Sequence, residues 1–145
     1  MEISLREVTK DSLRSILGLK VAESQRGFVA DNATSIAQAH YSPEAWYRGI
    51  YAADQPVGFA MLSLKPLEKE FFLWRFMIAE KEQGKGYGAA ALKLIIAEIR
   101  TKPEASELLL SVVEAEGGPR AFYEGLGFVS TGRHEDGELI MALEL

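Results

Sequence analysis

The segment that most constrains this chain is Gln83-Gly84-Lys85-Gly86-Tyr87-Gly88, three glycines in five positions. Directly before it, Phe71 to Ile78 is a largely apolar run of strand length. Directly after it, Gly86 to Arg100 places Ala90, Leu92, Leu94, Ile95, Ile96 and Ile99 at helical spacing. Leu108 to Val113 then reads as a second buried strand, so the order is strand, glycine turn, helix, strand, a βαβ unit. Glycines lack Cβ, so the backbone can approach a ligand closely and adopt turns closed to other residues. The free N–H groups and the dipole at a helix N-terminus favour an anion, and a pyrophosphate fits there. The alternative is a strand-to-helix turn that is merely rich in glycine. A dinucleotide fingerprint would need G-x-G-x-x-G and an acidic ribose ligand about 20 residues on. Here the glycines fall at 84, 86 and 88, with Ala91 in the place of a later one, and the Walker lysine pattern is absent.

The remainder of the chain alternates short strands and helices. Met1 to Val8 alternates apolar and polar residues as an edge-type strand, and Thr9 to Leu19 reads as a helix capped by Thr9 or Asp11. Between Val21 and Tyr47 the pattern is mixed. Asn32 or Thr34 is placed to cap a helix running through Ala39, and Ser42-Pro43-Glu44 to start another helical turn. Gly49 to Ala53 and Val57 to Leu64 form a hairpin about Asp54-Gln55-Pro56. Pro119 to Leu126 supplies a short helix ended by Gly127, and Phe128 to Gly132 with Glu138 to Leu143 closes the chain as a hairpin around Glu135-Asp136-Gly137.

Composition narrows the function. With 145 residues and 48% apolar content the chain has the size of one domain, residues 1–145, with one core. The 16 basic against 21 acidic residues leave a net charge of -5, which argues against nucleic acid or an anionic membrane as partner and suits a cationic small-molecule amine. The absence of cysteine excludes a disulfide framework, a thiolate metal site and a cysteine nucleophile. Together with a start unlike a signal peptide, it favours the cytoplasm. The longest apolar runs are too short to span a bilayer. His40 and His134 stand apart from any ligand cluster, so no metal site is expected.

Gln83-x-x-Gly86-x-Gly88 resembles the Q/R-x-x-G-x-G/A acetyl-CoA motif of the GNAT superfamily of N-acetyltransferases. Pro119 to Phe128 resembles that family's segment in which a tyrosine precedes a leucine-glycine-phenylalanine turn. Two such motifs in order, with a helix and a strand between, are far more specific than either alone. The resemblance covers Val57 to Phe128 well and the N-terminal half more loosely. Within the family, Leu73 to Ile78, Phe28 to Asn32 and Ser35 to Ala39 look like bacterial spermine/spermidine acetyltransferases. The fold implied is a mixed α/β (α+β) GNAT fold: a central, mostly antiparallel sheet flanked by helices, with the βαβ unit binding acetyl-CoA.

The resemblance also implies roles. Backbone amides of Gln83, Gly84, Lys85, Gly86, Tyr87, Gly88 and Ala89 would hold the pyrophosphate, and Lys85 would add a charge-assisted contact. Phe76, Met77 and Ile78 would bind the pantetheine arm and polarise the thioester carbonyl through their backbone. Tyr123 would protonate the departing thiolate as general acid, with Phe122 packing beside it. No clear base stands out, because the strand positions where many members carry a glutamate hold Phe72 or Trp74 here. Glu114, Glu116 or Glu23 could act through water, and Glu116 also occupies the place of the family's CoA-contacting asparagine. For a polyamine acceptor such as spermidine or spermine, Glu23, Asp31 and Trp74, with Trp46 and Glu114, would supply separated carboxylates and aromatic surface. Arg75, inside an apolar strand, would face the substrate groove, the cofactor or solvent. Other acceptors (an aminoglycoside, an amino acid, a protein amine) and a non-catalytic CoA-binding module remain alternatives. A homodimer is common in the family.

Overall fold

The computed structural model describes residues 2–145. Seven strands form one sheet in the order β1-β2-β3-β4-β5-β7-β6. They are β1 (Ile3–Arg6), β2 (Ala45–Ala52), β3 (Gln55–Lys65), β4 (Glu70–Ile78), β5 (Glu107–Val112), β6 (Val129–Glu135) and β7 (Glu138–Glu144). Every pairing is antiparallel except β4 with β5. Among the described residues four α-helices accompany them: α1 (Leu13–Leu17), α2 (Asn32–His40), α3 (Tyr87–Arg100) and α4 (Arg120–Gly125). The mixed, mostly antiparallel sheet with flanking helices is the architecture expected from the sequence.

Two apolar layers cover the sheet. On one face α3 buries Leu92, Ile95 and Ile99 against Ile50, Leu62, Phe71, Leu73, Leu108, Leu110 and Met141. The α3 stripe passes through Ala91 rather than Leu94, which stays 39% exposed. On the other face Ile16 of α1 packs with Tyr51, Phe59, Met61 and Met77, and Ile36 and Ala39 of α2 lie against this cluster. Each fully buried aliphatic or aromatic side chain contributes on the order of 1.5–3 kcal/mol.

The centre of the sheet opens. The parallel pairing of β4 with β5 lasts only two rungs, Phe72 with Leu109 and Leu73 with Leu110. On the other side of β4, Met61 pairs with Arg75 and Leu62 with Leu73, leaving Trp74 as an extra, bulged residue. A bulge bends its strand and increases local twist, and here it lies where β4 parts from β5. Gly58 keeps β3 against the far end of β4: a Cβ there would stand 2.4 Å from the Met77 carbonyl oxygen.

Several local expectations are corrected. The first helix is confined to Leu13–Leu17, because Thr9 and Ser12 bind one another reciprocally, Thr9 N–H to Ser12 Oγ at 2.8 Å and Ser12 N–H to Thr9 Oγ1 at 3.3 Å. The cap of α2 is Asp31, whose Oδ1 accepts from Thr34 N–H at 2.7 Å, while the buried Asn32 amide instead donates to the Ile16 carbonyl at 2.9 Å. Ser42-Pro43-Glu44 is a turn leading into β2, which begins at Ala45 rather than Gly49. The following hairpin turns at Ala53-Asp54, and Gln55 and Pro56 already belong to β3.

Candidate active site

The parting of β4 and β5 creates a cavity of about 930 Å³ whose walls are β4, the glycine turn, the start of α3, the end of β5, α4 and the β6–β7 turn. That volume lies in the range of small-molecule sites. Its floor is Phe72 to Ile78, with Tyr123 on the opposite wall.

At one end lies the glycine turn. Gly84 and Gly86 hold φ of 78° and 82°, the left-handed region that non-glycine residues rarely adopt. Gly86 is the N-cap of α3 and provides no side-chain cap. Among the described residues, the backbone N–H groups of Gly84 to Ala89 donate to no protein acceptor, and the first to find one is Ala90, bonded to the Gly86 carbonyl at 3.2 Å. A run of orphan donors at a helix N-terminus is suited to a polyanion such as a pyrophosphate. Gly88 is constrained by space instead: a Cβ there would lie 3.3 Å from the Phe122 ring, close enough that the ring would have to give slightly. The turn is anchored by the Gln83 side chain, whose Nε2 donates to the Ile78 carbonyl at 2.9 Å and to Gln25 Oε1 at 2.9 Å. Gln25 Nε2 returns the bond to Gln83 Oε1 at 3.1 Å. These residues therefore fit the CoA diphosphate by geometry as well as by motif.

Facing the β4 floor is an aromatic row. Phe76 stacks on Phe122 at 6.2 Å between centroids, Phe122 meets Tyr123 edge-on at 5.2 Å, and Tyr123 meets Phe128 edge-on at 5.7 Å. The Leu126-Gly127-Phe128 turn bends back so that Leu126 and Phe128 N–H both reach the Tyr123 carbonyl, at 3.0 and 3.1 Å. Gly127, at φ 100°, permits this reversal. Tyr123 lines the cavity, and its hydroxyl makes no hydrogen bond among the described residues. Burial pushes the phenol well above its ordinary value, so it stays protonated through neutral and mildly alkaline pH.

The structure brings most of the sequence-selected residues together. Trp74, Phe76, Met77, Ile78, Gln83, Gly84, Gly86, Tyr87, Gly88, Ala89, Phe122 and Tyr123 all line the cavity. Lys85 does not: its ammonium pairs with Glu82 at 3.0 Å on the surface, which raises its pKa. Glu114 also stands apart, because one carboxylate oxygen takes Arg120 at 3.1 Å and the other meets His134 at 2.7 Å. Glu23 is exposed in the short turn Glu23–Gln25. Asp31 borders a separate, smaller hollow, with its carboxylate bonded to Thr34 and its pKa lowered by that bond.

The sequence reading passed over Ser111 and Glu138, and treated Glu135-Asp136 only as a turn; all four residues line the cavity. Ser111 Oγ donates to Glu138 Oε1 at 3.1 Å. The clue was the alternation of β7: with Leu139 and Met141 packed toward α3, Glu138 must face the other side. Arg75 resolves into the cavity wall, with Nη2 donating to Gln38 of α2 at 2.8 Å, Nη1 to the Trp74 carbonyl at 3.1 Å, and Nε buried without a partner among the described residues. Burial lowers its pKa, and the Glu138 charge opposes that shift.

Comparison with known proteins identifies the family. The acetyltransferase (GNAT) family pattern matches residues 12–128. A spermine/spermidine N(1)-acetyltransferase of Bacillus subtilis (strain 168) is 31% identical over the full length of both chains. PaiA N-acetyltransferase from Thermoplasma acidophilum, solved in complex with coenzyme A, superposes with a TM-score of 0.71 at 17% identity over the whole of both chains. A GNAT family acetyltransferase from Elizabethkingia anophelis with acetyl-CoA bound gives a TM-score of 0.69 at 18% identity, over 99% of this chain and 98% of that one. The glycine turn with its unclaimed amides, the parted strands and this family match agree: the chain belongs to the acetyltransferase (GNAT) family and is an acetyl-CoA-dependent N-acetyltransferase.

Proposed function

We propose that the protein transfers acetyl from acetyl-CoA directly to a primary amine of a polyamine, spermidine or spermine, with Tyr123 as general acid and no covalent enzyme intermediate. The observation that carries this reading is the single cavity that joins the unclaimed amides of Gly84 to Ala89 to the Tyr123 hydroxyl across the β4 floor. The amides and the α3 dipole would bind the diphosphate, with Lys85 an added cation at the rim, and the backbone of Phe76 to Ile78 would align the pantetheine arm and the thioester carbonyl. The protonated Tyr123 would then donate to the thiolate as it leaves.

The acceptor assignment is supported by charge. Glu135, Asp136 and Glu138 face the cavity, Trp74 offers an aromatic wall to methylene groups, and the whole chain carries -5. The full-length relative named for spermine and spermidine acetylation points the same way. Glu23, Asp31 and Glu114 lie off the lining residues, so in this reading their contribution is to the field that draws in a cation rather than to contact. Arg75 on the same wall favours a second acceptor class, an amine that also carries a carboxylate, such as an amino acid. A cytoplasmic setting, read from the absence of cysteine, and a homodimer, read from the family resemblance, belong to this proposal. The test is a thiol-release assay with acetyl-CoA and a panel of spermidine, spermine, amino acids, an aminoglycoside and a peptide amine. Highest kcat/KM on the polyamines is expected; a preference of tenfold or more for an amino acid would replace the first acceptor class with the second.

A further inference from the structure

Amine attack on a thioester requires that an ammonium first give up a proton, and the β4 positions available to a carboxylate hold Phe72 and Trp74. Glu114 is committed to Arg120 and His134. We propose that Glu138, held against the parting of β4 and β5 by Ser111 Oγ, is the group that takes the proton from the acceptor ammonium.

The placement follows from strand geometry. Ser111 pairs with Ile140 across β5 and β7, and Glu138 lies two residues from Ile140, so Ser111 and Glu138 share the sheet face opposite α3. That is the face of α1 and α2, where Trp74 packs. Ser111 follows Leu110, the last β5 residue paired to β4, so its hydroxyl holds the carboxylate beside the point where the strands separate. Glu138 is half-buried there, whereas Glu135 and Asp136 are exposed and their carboxylates accept no hydrogen bond among the described residues. The Asp136-Gly137 turn, with φ of 51° and 79°, sets Glu135 directly opposite Glu138. Like charges facing across a hairpin disfavour the pairing, and a bound cation relieves that repulsion. The charged and titratable groups that share the cavity with Glu138 are Arg75 on β4, Glu135 and Asp136 on its hairpin, Tyr123 on α4, Tyr87 on α3, and Arg26 and Glu82.

The proton balance closes. Glu138 takes one proton from R–NH3+, and the neutral nitrogen attacks the thioester carbonyl carbon. The C–S bond breaks, and the thiolate takes the Tyr123 phenolic proton. The second nitrogen proton restores Tyr123, and Glu138 returns its proton to solvent. This step rests on the acetyl-transfer reading above and adds to it the residue that starts the reaction.

The test compares wild type with Glu138→Gln, Glu138→Asp and Ser111→Ala. CoA binding is measured by calorimetry, and kcat/KM for the best acceptor is followed from pH 6 to 10 (values on the order of the amine and carboxylate ranges). Glu138→Gln should bind CoA within about twofold of wild type, and lose about a hundredfold in kcat/KM at neutral pH. It should recover about tenfold per pH unit as solvent deprotonates the amine. Glu138→Asp should restore part of the loss, and Ser111→Ala should shift the profile in the same direction by less. A Glu138→Gln loss that is equal at every pH, or no loss, overturns the assignment. If that variant does not fold, Glu138→Asp and Ser111→Ala profiles that match wild type overturn it equally. Failure of the wild type to bind CoA would instead strike down the acetyl-transfer reading beneath it.

Discussion

Tyr123 combines two properties that seldom meet in one side chain: a ring held edge-on between two aromatic neighbours, Phe122 and Phe128, and a hydroxyl that no protein group claims among the described residues. Replacing it by phenylalanine preserves the ring packing and removes only the hydroxyl. The expected result is a fall in kcat of about a hundredfold or more with CoA affinity unchanged, checked by the thiol-release assay and calorimetry. The same substitution has a stability signature. The unfolded chain ionises near the ordinary value of 10.0, while the folded phenol resists ionisation. The folded state therefore holds the proton longer, and stability falls as pH rises above about 10. Tyr123→Phe should flatten that alkaline loss, as read by thermal unfolding at pH 9 to 11 (a window about the ordinary tyrosine value). At this scale the sequence was legible for backbone-defined residues and less so for free carboxylates. Gly84, Gly86 and Gly88 reveal themselves because glycine marks special conformations. A glutamate on a strand has one sequence signature whether it meets solvent or a cleft, so Glu138 became visible only when β5 and β7 were seen in register.

Among the elements, the strand-to-helix turn concentrates the constraints. Gly86 has open space around a would-be Cβ, so Gly86→Ala meets backbone strain rather than a clash. At φ 82° an L-residue costs about 1–2 kcal/mol. The variant should lower unfolding free energy by about that amount and weaken CoA binding, since relaxing the strain would turn the amides of the α3 N-terminus. Urea denaturation and a CoA titration check both; unchanged values for the two would remove the requirement for a left-handed cap. The βαβ unit was readable because apolar periodicity switches from strand to helix and back across it. The segment before Tyr47 was not, because its caps are settled by partners: Asn32 looks like a cap in isolation, yet its amide is drawn to Ile16, and Asp31 takes the role.

Across the whole molecule, the two helical layers meet the central sheet on opposite faces and the cleft runs between them. The family match follows this architecture over residues 12–128, which includes α1 and α2 as well as the glycine turn. One pair of side chains spans it. Gln25 and Gln83, 58 positions apart, exchange two hydrogen bonds between their side-chain amides, and through them the α1–α2 connection is buttoned to the glycine turn at one end of the cleft. Gln25→Ala should therefore loosen CoA binding by about two- to fivefold, the order of one lost hydrogen bond, although residue 25 lies far from the glycine turn in sequence; an unaltered dissociation constant would show the clasp to be slack. The larger consequence is kinetic. A clasp shared by two distant segments lets whichever substrate arrives first stiffen the seat of the second, so initial-rate kinetics should show random addition in which each substrate lowers the other's dissociation constant, rather than a compulsory order.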